Sequence, residues 1–597
     1  MAKDNMRINE LRNLISSLPN GSISKKNING KTYYYHRYKE GNKRFEKYID
    51  FSTVSELQNK IEKRRMLEKE LKRLISLNGE NLLVSNKSKY NTNIRRGENL
   101  FKFIKPVDKF NHRFCFDEIV NYLDSDISGK VLLLYGLRRT GKTTLIKQSI
   151  LNMNEADFKD SAYIQILPKD TLASLNEDLV TLEKEGVRFV FIDEVTLLSD
   201  FIEGASLFSD IYASSGMKIV LSGTDSLGFM ITKKEQLYDR SILVHTTYIS
   251  YKEFKEVLGI EGIDKYIKYG GTMCTSGSNY SSFNLWNDYQ TINEYVDTSI
   301  AKNIQHSLNN YQDGNHFRHL QDLHDKNELT NIINRVVEDI NHRFTKEVIL
   351  KDFKSNDLRI SKRNLRKDKM LPNFILDKID EDKINMKLAK LLDIINEDSR
   401  KVLIDENHLK EIEEYLELLN VIYKVKIVTL PSFSNSKEKT VISQPGLRFN
   451  QATHLASCLL EDVVFSSLSV YDKSYILYRI ENEIKGRMLE DLVLLETKLS
   501  NPSLNVFKIE FSVGEFDMVI VNNEMLFCDI YEIKYSDKRI SDQTRHLNDI
   551  EKCLMTEFKF GSIRKKCVIY QGETTTEFGV EYINVDEFLT KGYYLNK

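Results

Sequence analysis

The rhythm of hydrophobic and polar positions changes several times along this 597-residue chain, and each change marks a new kind of element. Residues 21–50, GSISKKNINGKTYYYHRYKEGNKRFEKYID, alternate in short runs around Asn29-Gly30 and again around Glu40-Gly41-Asn42. Asn-Gly between alternating runs signals a tight hairpin, so a three-stranded antiparallel sheet is predicted. In residues 54–77 the positions Leu57, Ile61, Met66 or Leu67, Leu71 and Leu74 recur at helical spacing, which predicts a helix. Residues 78–97 are polar and rich in Asn and Ser, as expected of a linker.

From about residue 98 to 250, apolar runs of strand length alternate with helical stretches, the pattern of a parallel α/β domain. Residues 251–375 read as mostly helical and polar, with a basic run at 351–369 whose plain reading is a solvated loop. Across 386–449, helices followed by VIYKVKIVTL and KTVISQPGLRF outline a winged helix with its paired ribbon. After 456, the helix NEIKGRMLEDLVLLETKLS precedes a β-meander and a terminal α/β stretch. The predicted domains are 1–97, 98–250, 251–385, 386–455 and 456–597, in a multidomain α/β fold.

Composition narrows the class. A hydrophobic content of 41% and a charged content of 29% suit a soluble globular chain with ample core. No run of 18 apolar residues predicts a membrane span, and the polar N-terminus lacks a secretory stretch. Six scattered cysteines without a Cys-x-x-Cys pair point to a reducing, cytoplasmic setting, without disulfides or a cysteine-held zinc. Charge is unevenly placed: residues 1–110 hold 25 Lys and Arg against 12 Asp and Glu, and the remainder hold 61 against 75. A basic head on an acidic body suggests that the head meets a polyanion.

In that head, Tyr33, Tyr34, Tyr35, Tyr38 and Tyr48 are interleaved with Lys25, Lys26, Lys31, Arg37, Lys39, Lys43, Arg44 and Lys47. Such ribbons can lie on phosphates. The tyrosines could equally form the small sheet's own core, leaving the lysines merely solvated.

The stretch VLLLYGLRRTGKTTLI carries the strongest chemical signal. Gly136, Gly141, Lys142 and Thr143 fit G-x-x-x-x-G-K-[ST] between an apolar strand and a helix. Backbone N–H groups there close around phosphates, with Arg139, Thr140 and Thr144 among the nucleotide-binding positions. Lys142 should reach the β- and γ-phosphates of ATP, and Thr143 should ligate Mg²⁺. A second apolar strand, VRFVFIDEVTLL, ends in Asp193, a further Mg²⁺ holder, and Glu194, which would polarise the attacking water. A third, MKIVLSGTDS, offers Ser222, Thr224 and Asp225 near the γ-phosphate.

These motifs resemble AAA+-type ATPases. More closely, GLRRTGKT, FIDE, LYDRSILVHTTYISYKEF and YIKYGGTMC resemble one bacterial and archaeal ATPase family with a lid, a winged helix and a C-terminal PD-(D/E)xK nuclease-like domain. The resemblance covers roughly residues 98–560, not the basic head. It implies that Arg240 is an arginine finger, although an arginine there is as often an ordinary ion-pair partner.

Seven Glu-x-Lys triplets occur in the chain, and only Glu532-Ile533-Lys534 has strand context with an upstream acid, Asp517, across a predicted hairpin. Paired carboxylates bind Mg²⁺ or Mn²⁺ through oxygens, and Lys534 would orient or activate water. The resemblance adds Glu490 on the preceding helix as a further metal ligand, and Gln543 at the start of the following one. The expected function is an ATPase coupled to a nuclease acting on nucleic acid, double-stranded DNA first, in a setting such as defence against phage or mobile elements. The alternative is a nucleotide switch whose inactive nuclease fold only binds DNA or protein. Further copies of the chain and a regulatory protein are the other expected partners.

Overall fold

In the computed structural model the described residues are 22–28, 31–40 and 43–50 with scattered positions between 18 and 67, then 89–273, 289–301, 317–354, 405–431, 436–461 and 469–592, with single residues between some spans. They form two compact units, Met1–Asn91 and Thr92–Lys597.

The first unit holds the predicted sheet. Strands β1 (Ser22–Ile28), β2 (Lys31–Glu40) and β3 (Lys43–Ile49) are antiparallel in that order. Ile28 pairs with Lys31 and Glu40 with Lys43, so a two-residue connection closes each hairpin. Tyr34 and His36 are half-buried on one face, with buried Ile49 opposite Tyr34. The side chains of Tyr33, Tyr35, Tyr38 and Tyr48 lie outside the described residues. The predicted helix 54–77 is helical at its described positions, which reach Leu67.

The second unit begins earlier than the linker reading allowed. Strand β4 (Asn93–Arg95) pairs antiparallel with β6 (Ser161–Gln165), so 93–95 belong to the next sheet rather than to a linker. The cause is local: Thr92 N and Oγ1 both donate to buried Asp178 Oδ2 at 2.7 Å, which fixes the segment against the sheet edge. With β5 (Val131–Gly136), β7 (Phe189–Asp193), β8 (Lys218–Gly223) and β9 (Ser241–Thr246), the order is β4-β6-β7-β8-β5-β9. All pairings but the first are parallel. Every residue of β5 and β7 is buried, which is why both read as unbroken apolar runs.

Helix α1 (Lys142–Leu151) follows β5, and α2 (Tyr251–Glu256) and α3 (Ile263–Tyr269) follow β9. A helical layer comes next, with α4 (Arg318–Asp325), α5 (Leu329–Lys354) and α6 (Glu406–Leu418). Most of the basic run and residues 386–404 lie outside the described residues.

The second sheet has eight strands among the described residues. β10 (Ile422–Thr429), β11 (Ser436–Ile442), β12 (Asn505–Glu510), β13 (Glu515–Asn522), β14 (Phe527–Ile533), β15 (Ser562–Tyr570), β16 (Thr575–Glu577) and β17 (Val580–Asn584) run in the order β11-β10-β12-β13-β14-β15-β17-β16. The predicted meander is β12–β13–β14, with turns between Glu510 and Glu515 and between Asn522 and Phe527. The ribbon β10–β11 pairs in parallel with β12, so the sheet continues across the predicted boundary at 455/456.

Helices α7 (Pro445–Leu460), α8 (Val470–Ser500), α9 (Ile550–Phe560) and α10 (Val585–Lys591) accompany this sheet in the chain. One face of the sheet shares a core with α8, including Val506, Met518, Tyr531, Leu489 and Val493. Ile249, Tyr251 and Phe254 enter that same core, so no break separates the expected ATPase, lid and C-terminal segments. The other face packs Phe507, Val519 and Ile530 with Leu547 and Cys553. Among the described residues no helix is long and apolar enough to cross a membrane.

Candidate functional site

The phosphate loop leaves the buried end of β5. Gly136 has φ +145°, and a Cβ there would lie 2.3 Å from the Thr246 carbonyl oxygen, so glycine is required. Gly141, at φ +93°, turns the chain into α1. The loop closes on itself. Lys142 Nζ donates to the Gly136 and Leu137 carbonyls at 2.8 Å each, and Thr140 Oγ1 donates to Leu137 O at 2.7 Å. Burial pushes the Lys142 ammonium down to about 8. Thr144 lies half-buried in the first turn of α1.

The neighbouring strands deliver the acids to this loop. Asp193 Oδ2 accepts from Thr143 Oγ1 at 2.9 Å and Tyr163 OH at 2.8 Å, while Ser222 Oγ donates to Oδ1. Glu194, in the left-handed region at φ 59°, accepts from Thr224 Oγ1 at 3.4 Å. Burial raises the Glu194 carboxyl, with Lys142 opposing. Thus Thr143, Asp193, Glu194 and Thr224 converge on Lys142. Asp225 instead caps the following helix through Gly228 N at 2.9 Å.

Two supports of the loop escaped the sequence reading. Arg113 Nε and NH2 donate to Glu253 Oε1 and Oε2 at 2.9 and 2.6 Å, with side chains only 5% and 6% exposed. Arg113 NH1 donates to the Thr140 carbonyl at 2.7 Å, bracing the loop from behind. Glu253 is the acid of the quoted SYKEF stretch, which was the available signal. The YGGTM stretch covers the loop's other side. Met273 N donates to Arg139 O at 2.8 Å, and a Cβ on Gly141 would lie 2.5 Å from Met273 Sδ. Gly271, at φ +100°, leaves no room for a side chain, since a Cβ would sit 2.7 Å from Gln444 Cα.

Arg240 is not brought to this site. It precedes β9, at the opposite end of the parallel sheet from the loop, and its NH1 pairs with Asp210 Oδ1 at 2.5 Å. At about 3.3 Å per residue, the six residue steps from Arg240 to Thr246 hold it roughly 20 Å from the phosphate end, so it cannot serve as a finger on its own loop.

The second cluster lines a cleft of about 400 Å³ in the eight-stranded sheet, with Arg487, Glu490, Glu515, Asp517, Glu532 and Lys534 on its walls. The hairpin β13–β14 sets Asp517 beside the end of β14, where Ile533 N and Lys534 Nζ donate to its Oδ2 at 2.8 and 3.1 Å. Lys534 Nζ also donates to Glu532 Oε2 at 2.5 Å. Glu532 Oε1 is buried without a hydrogen-bond partner. One ligand oxygen each from Glu490, Glu515 and Asp517 lie within 4.8 Å of one another, so these three could hold a cation.

The predicted set therefore changes in three ways. Glu515 joins it, two residues before Asp517 on the same side of β13. Two further cations enter: Lys508 Nζ lies 3.6, 3.0 and 3.7 Å from Glu490, Glu515 and Asp517, and Arg487 pairs with Glu490 and Glu515 at 2.7 and 3.2 Å. Gln543 drops out of the cleft lining. The chain makes a short 3₁₀ turn at Ser541–Thr544 where a helix start was expected. There Gln543 Nε2 donates to Lys538 O at 2.9 Å, and its Oε1 accepts from Ile540 N at 3.1 Å. His546 takes a place in the lining instead.

Burial opposes ionisation of Asp517, yet Lys534, Lys508 and the Ile533 N–H together hold its carboxyl well below the usual range. Burial raises Glu532 to about 8, reinforced by the Asp517 charge and opposed by Lys534. Burial and Asp517 likewise raise Glu490. With no added cation, this cleft keeps Asp517 charged and a proton on Glu532.

A family model described as an AAA domain matches residues 128–255, and one described as a domain of unknown function (DUF6788) matches residues 3–59. The chain is similar to "Uncharacterized protein MJ1544" of Methanocaldococcus jannaschii, at 23% identity over 471 residues that cover 77% of this chain and 86% of that protein. Among solved structures it is similar to the S. cerevisiae Hsp104–ADP complex, at 12% identity and a TM-score of 0.21, covering 62% of this chain and 47% of that one. This chain thus spans about half the length of that Hsp104 chain. Residues 128–255 thus carry an AAA-type domain with an intact phosphate loop, which implies ATP.

Proposed function

We propose that the ATPase is coupled to a metal-dependent nuclease of the PD-(D/E)xK kind, acting on nucleic acid and on double-stranded DNA first. The observation that carries this reading is the convergence of Glu490, Glu515 and Asp517 to within reach of one cation, with Lys534 bridging Asp517 and Glu532. Glu532 Oε1, buried beside the Asp517 carboxylate, fits either a shared proton or a cation. Glu490, Glu515 and Asp517 would hold Mg²⁺ or Mn²⁺, with Glu532 alongside. A bound cation supplies Lewis-acid polarisation of a scissile phosphate and a lower pKa for a water. Asp517 fixes the Lys534 ammonium, which would orient that water, and Arg487 adds positive charge for a polyanion at the cleft wall.

In the ATPase core, Lys142 would exchange its two loop carbonyls for the β- and γ-phosphates. Thr143 and Asp193 would hold Mg²⁺, and Glu194, steadied by Thr224, would polarise water. Arg240 would act only on a neighbouring copy, after leaving Asp210, so the proposal includes a homo-oligomer. Helix α6 with the ribbon β10–β11 supports a winged-helix reading of that segment, and the basic head supports contact with DNA phosphates. A regulatory protein is a further proposed partner.

Lys508 favours a second reading. Its ammonium stands within 4 Å of three carboxylates, where it can neutralise the cleft with no metal, as in a site that binds without cutting. Incubation with plasmid in Mg²⁺ or Mn²⁺, with and without ATP, separates the two. Cleavage that requires Asp517 and Lys534 supports the nuclease. Binding without cleavage under every condition leaves the switch. Deleting residues 1–91 should flatten the salt dependence of DNA affinity, because head lysines no longer release counterions, and leave DNA-free ATP hydrolysis intact.

A further inference from the structure

Away from both clusters, helices α4 and α6 pack in one core, where Leu320 and Leu323 meet Ile412, Tyr415 and Leu416. Their upper ends bring His319 together with Asp405 and His408, and one ligand atom of each lies within 4.8 Å of the others. No role in the ATPase or the cleft draws on these residues.

The hydrogen bonding among them is specific. Asp405 caps α6, its Oδ1 accepting from Asn407 N and His408 N at 2.9 Å each. The same oxygen meets His408 Nδ1 at 2.8 Å. That contact places the ring proton on Nδ1 and leaves the lone pair on Nε2. The Nε2 atom is buried and has no hydrogen-bond partner, in a residue only 7% exposed. A desolvated lone pair with no donor costs free energy that a cation would recover. The half-buried His319 ring stands 5.1 Å from the His408 ring, centroid to centroid, at 62°. The surroundings are anionic. Asp322 lies one turn beyond His319 and pairs with Lys326, and Glu411 accepts from Leu320 N at 3.0 Å.

We propose that His319 and His408 Nε2 bind a borderline divalent cation of the zinc class, with Asp405 holding the His408 ring from its Nδ1 side. Two imidazoles, with water completing the shell, suit such an ion better than Mg²⁺, which prefers an all-oxygen set. The Asp405–His408 pair is the carboxylate–histidine arrangement that fixes a ligating ring's tautomer. The ion would clip α4 to α6 across the long stretch of chain between them, tying the helical layer where it packs against the phosphate loop's Leu137.

The test uses the full-length chain, stripped with chelator and free of nucleotide, in an Asp517→Asn background that weakens the cleft carboxylates. Titration with Co²⁺ or Zn²⁺ alone should show one equivalent bound, with a visible Co²⁺ band reporting imidazole ligation. His319→Ala should weaken that binding about 100-fold and abolish the band. Asp405→Asn keeps a competent helix cap, so a loss of about 10–100-fold there isolates the carboxylate's part from folding. Zn²⁺ should raise the unfolding temperature of the Asp517→Asn chain but not of its His319→Ala derivative. An unchanged affinity in His319→Ala, or no visible band in its parent, overturns the site.

Discussion

The phosphate loop and the carboxylate cleft both sit where buried strands end, and they hold charge in opposite ways. The loop is a closed circuit: Lys142 rests on two backbone carbonyls, and three hydroxyls satisfy Asp193. Its chemistry comes chiefly from the backbone, shaped by glycines where no Cβ fits. The cleft is an open balance of side chains, with Glu490, Glu515, Asp517 and Glu532 set against Arg487, Lys508 and Lys534. The loop should therefore respond to nucleotide and to changes in its few side-chain contacts. The cleft should respond to pH and divalent cations.

Breaking the loop gives the largest expected effect. Lys142→Ala should lower phosphate release from ATP by at least about 10²–10³-fold, because the γ-phosphate loses its ammonium. A Mn²⁺ titration of the cleft should not change, and a parallel loss there would show that the two sites are not separate. The converse pair comes next. Asp517→Asn and Lys534→Ala should each reduce metal-dependent cleavage by roughly 10²-fold or more while ATPase turnover stays within about twofold. Only the first should also weaken Mn²⁺ binding.

The brace behind the loop follows in size. Arg113→Ala strands Glu253 as a buried charge and should cost about 3–5 kcal/mol of stability, read as a lower denaturant midpoint. A change within experimental error would mean that water reaches Glu253.

A smaller effect sharpens the contrast in pH. Glu532 titrates near 8 in the free cleft, so below that pH a cation must displace its proton. Mn²⁺ affinity should thus rise up to about tenfold per pH unit between pH 6 and 8, then level off. Glu532→Gln should flatten that slope, and a slope that survives would assign the proton elsewhere. Gln543→Ala should be the mildest change, within about twofold in cleavage, since its amide only ties the Lys538–Ile540 turn.

The same contrast explains what could be read from the sequence. The loop is a contiguous motif, so its residues and their neighbours on β7 and β8 were legible from order alone. The meander was legible too, because Gly514 and Asn522 punctuate it and Asp517 and Glu532 sit on adjacent strands. Glu515 was available in principle, since it shares a face with Asp517 at period 2. Arg487 and Lys508 carry no local signal, because one comes from α8 and the other from β12. Arg113 and Glu253 meet across a long sequence separation, which no local pattern reports. The same holds for the parallel pairing of β10 with β12, which erased an expected domain boundary. Gln543 and Arg240 went the other way: the motif named the residue, and the backbone carried it elsewhere.

Helix α8 touches both regions. Glu490 faces the cleft, and Asp491 is bonded to Lys439 and Arg448 at 2.5 and 2.8 Å. Glu496 accepts from Tyr251 N and Tyr266 OH at 3.1 Å each, on helices joined through Glu253 to the phosphate loop's brace. At 1.5 Å per residue these stations span about 9 Å of one helix, and a helix does not shorten without breaking its own ladder. In mechanical terms α8 is a rod clamped beside its cleft station. The 251–266 segment and the cleft's Glu490 are thus held on one rigid part, so their separation is set by the helix rather than by a loop.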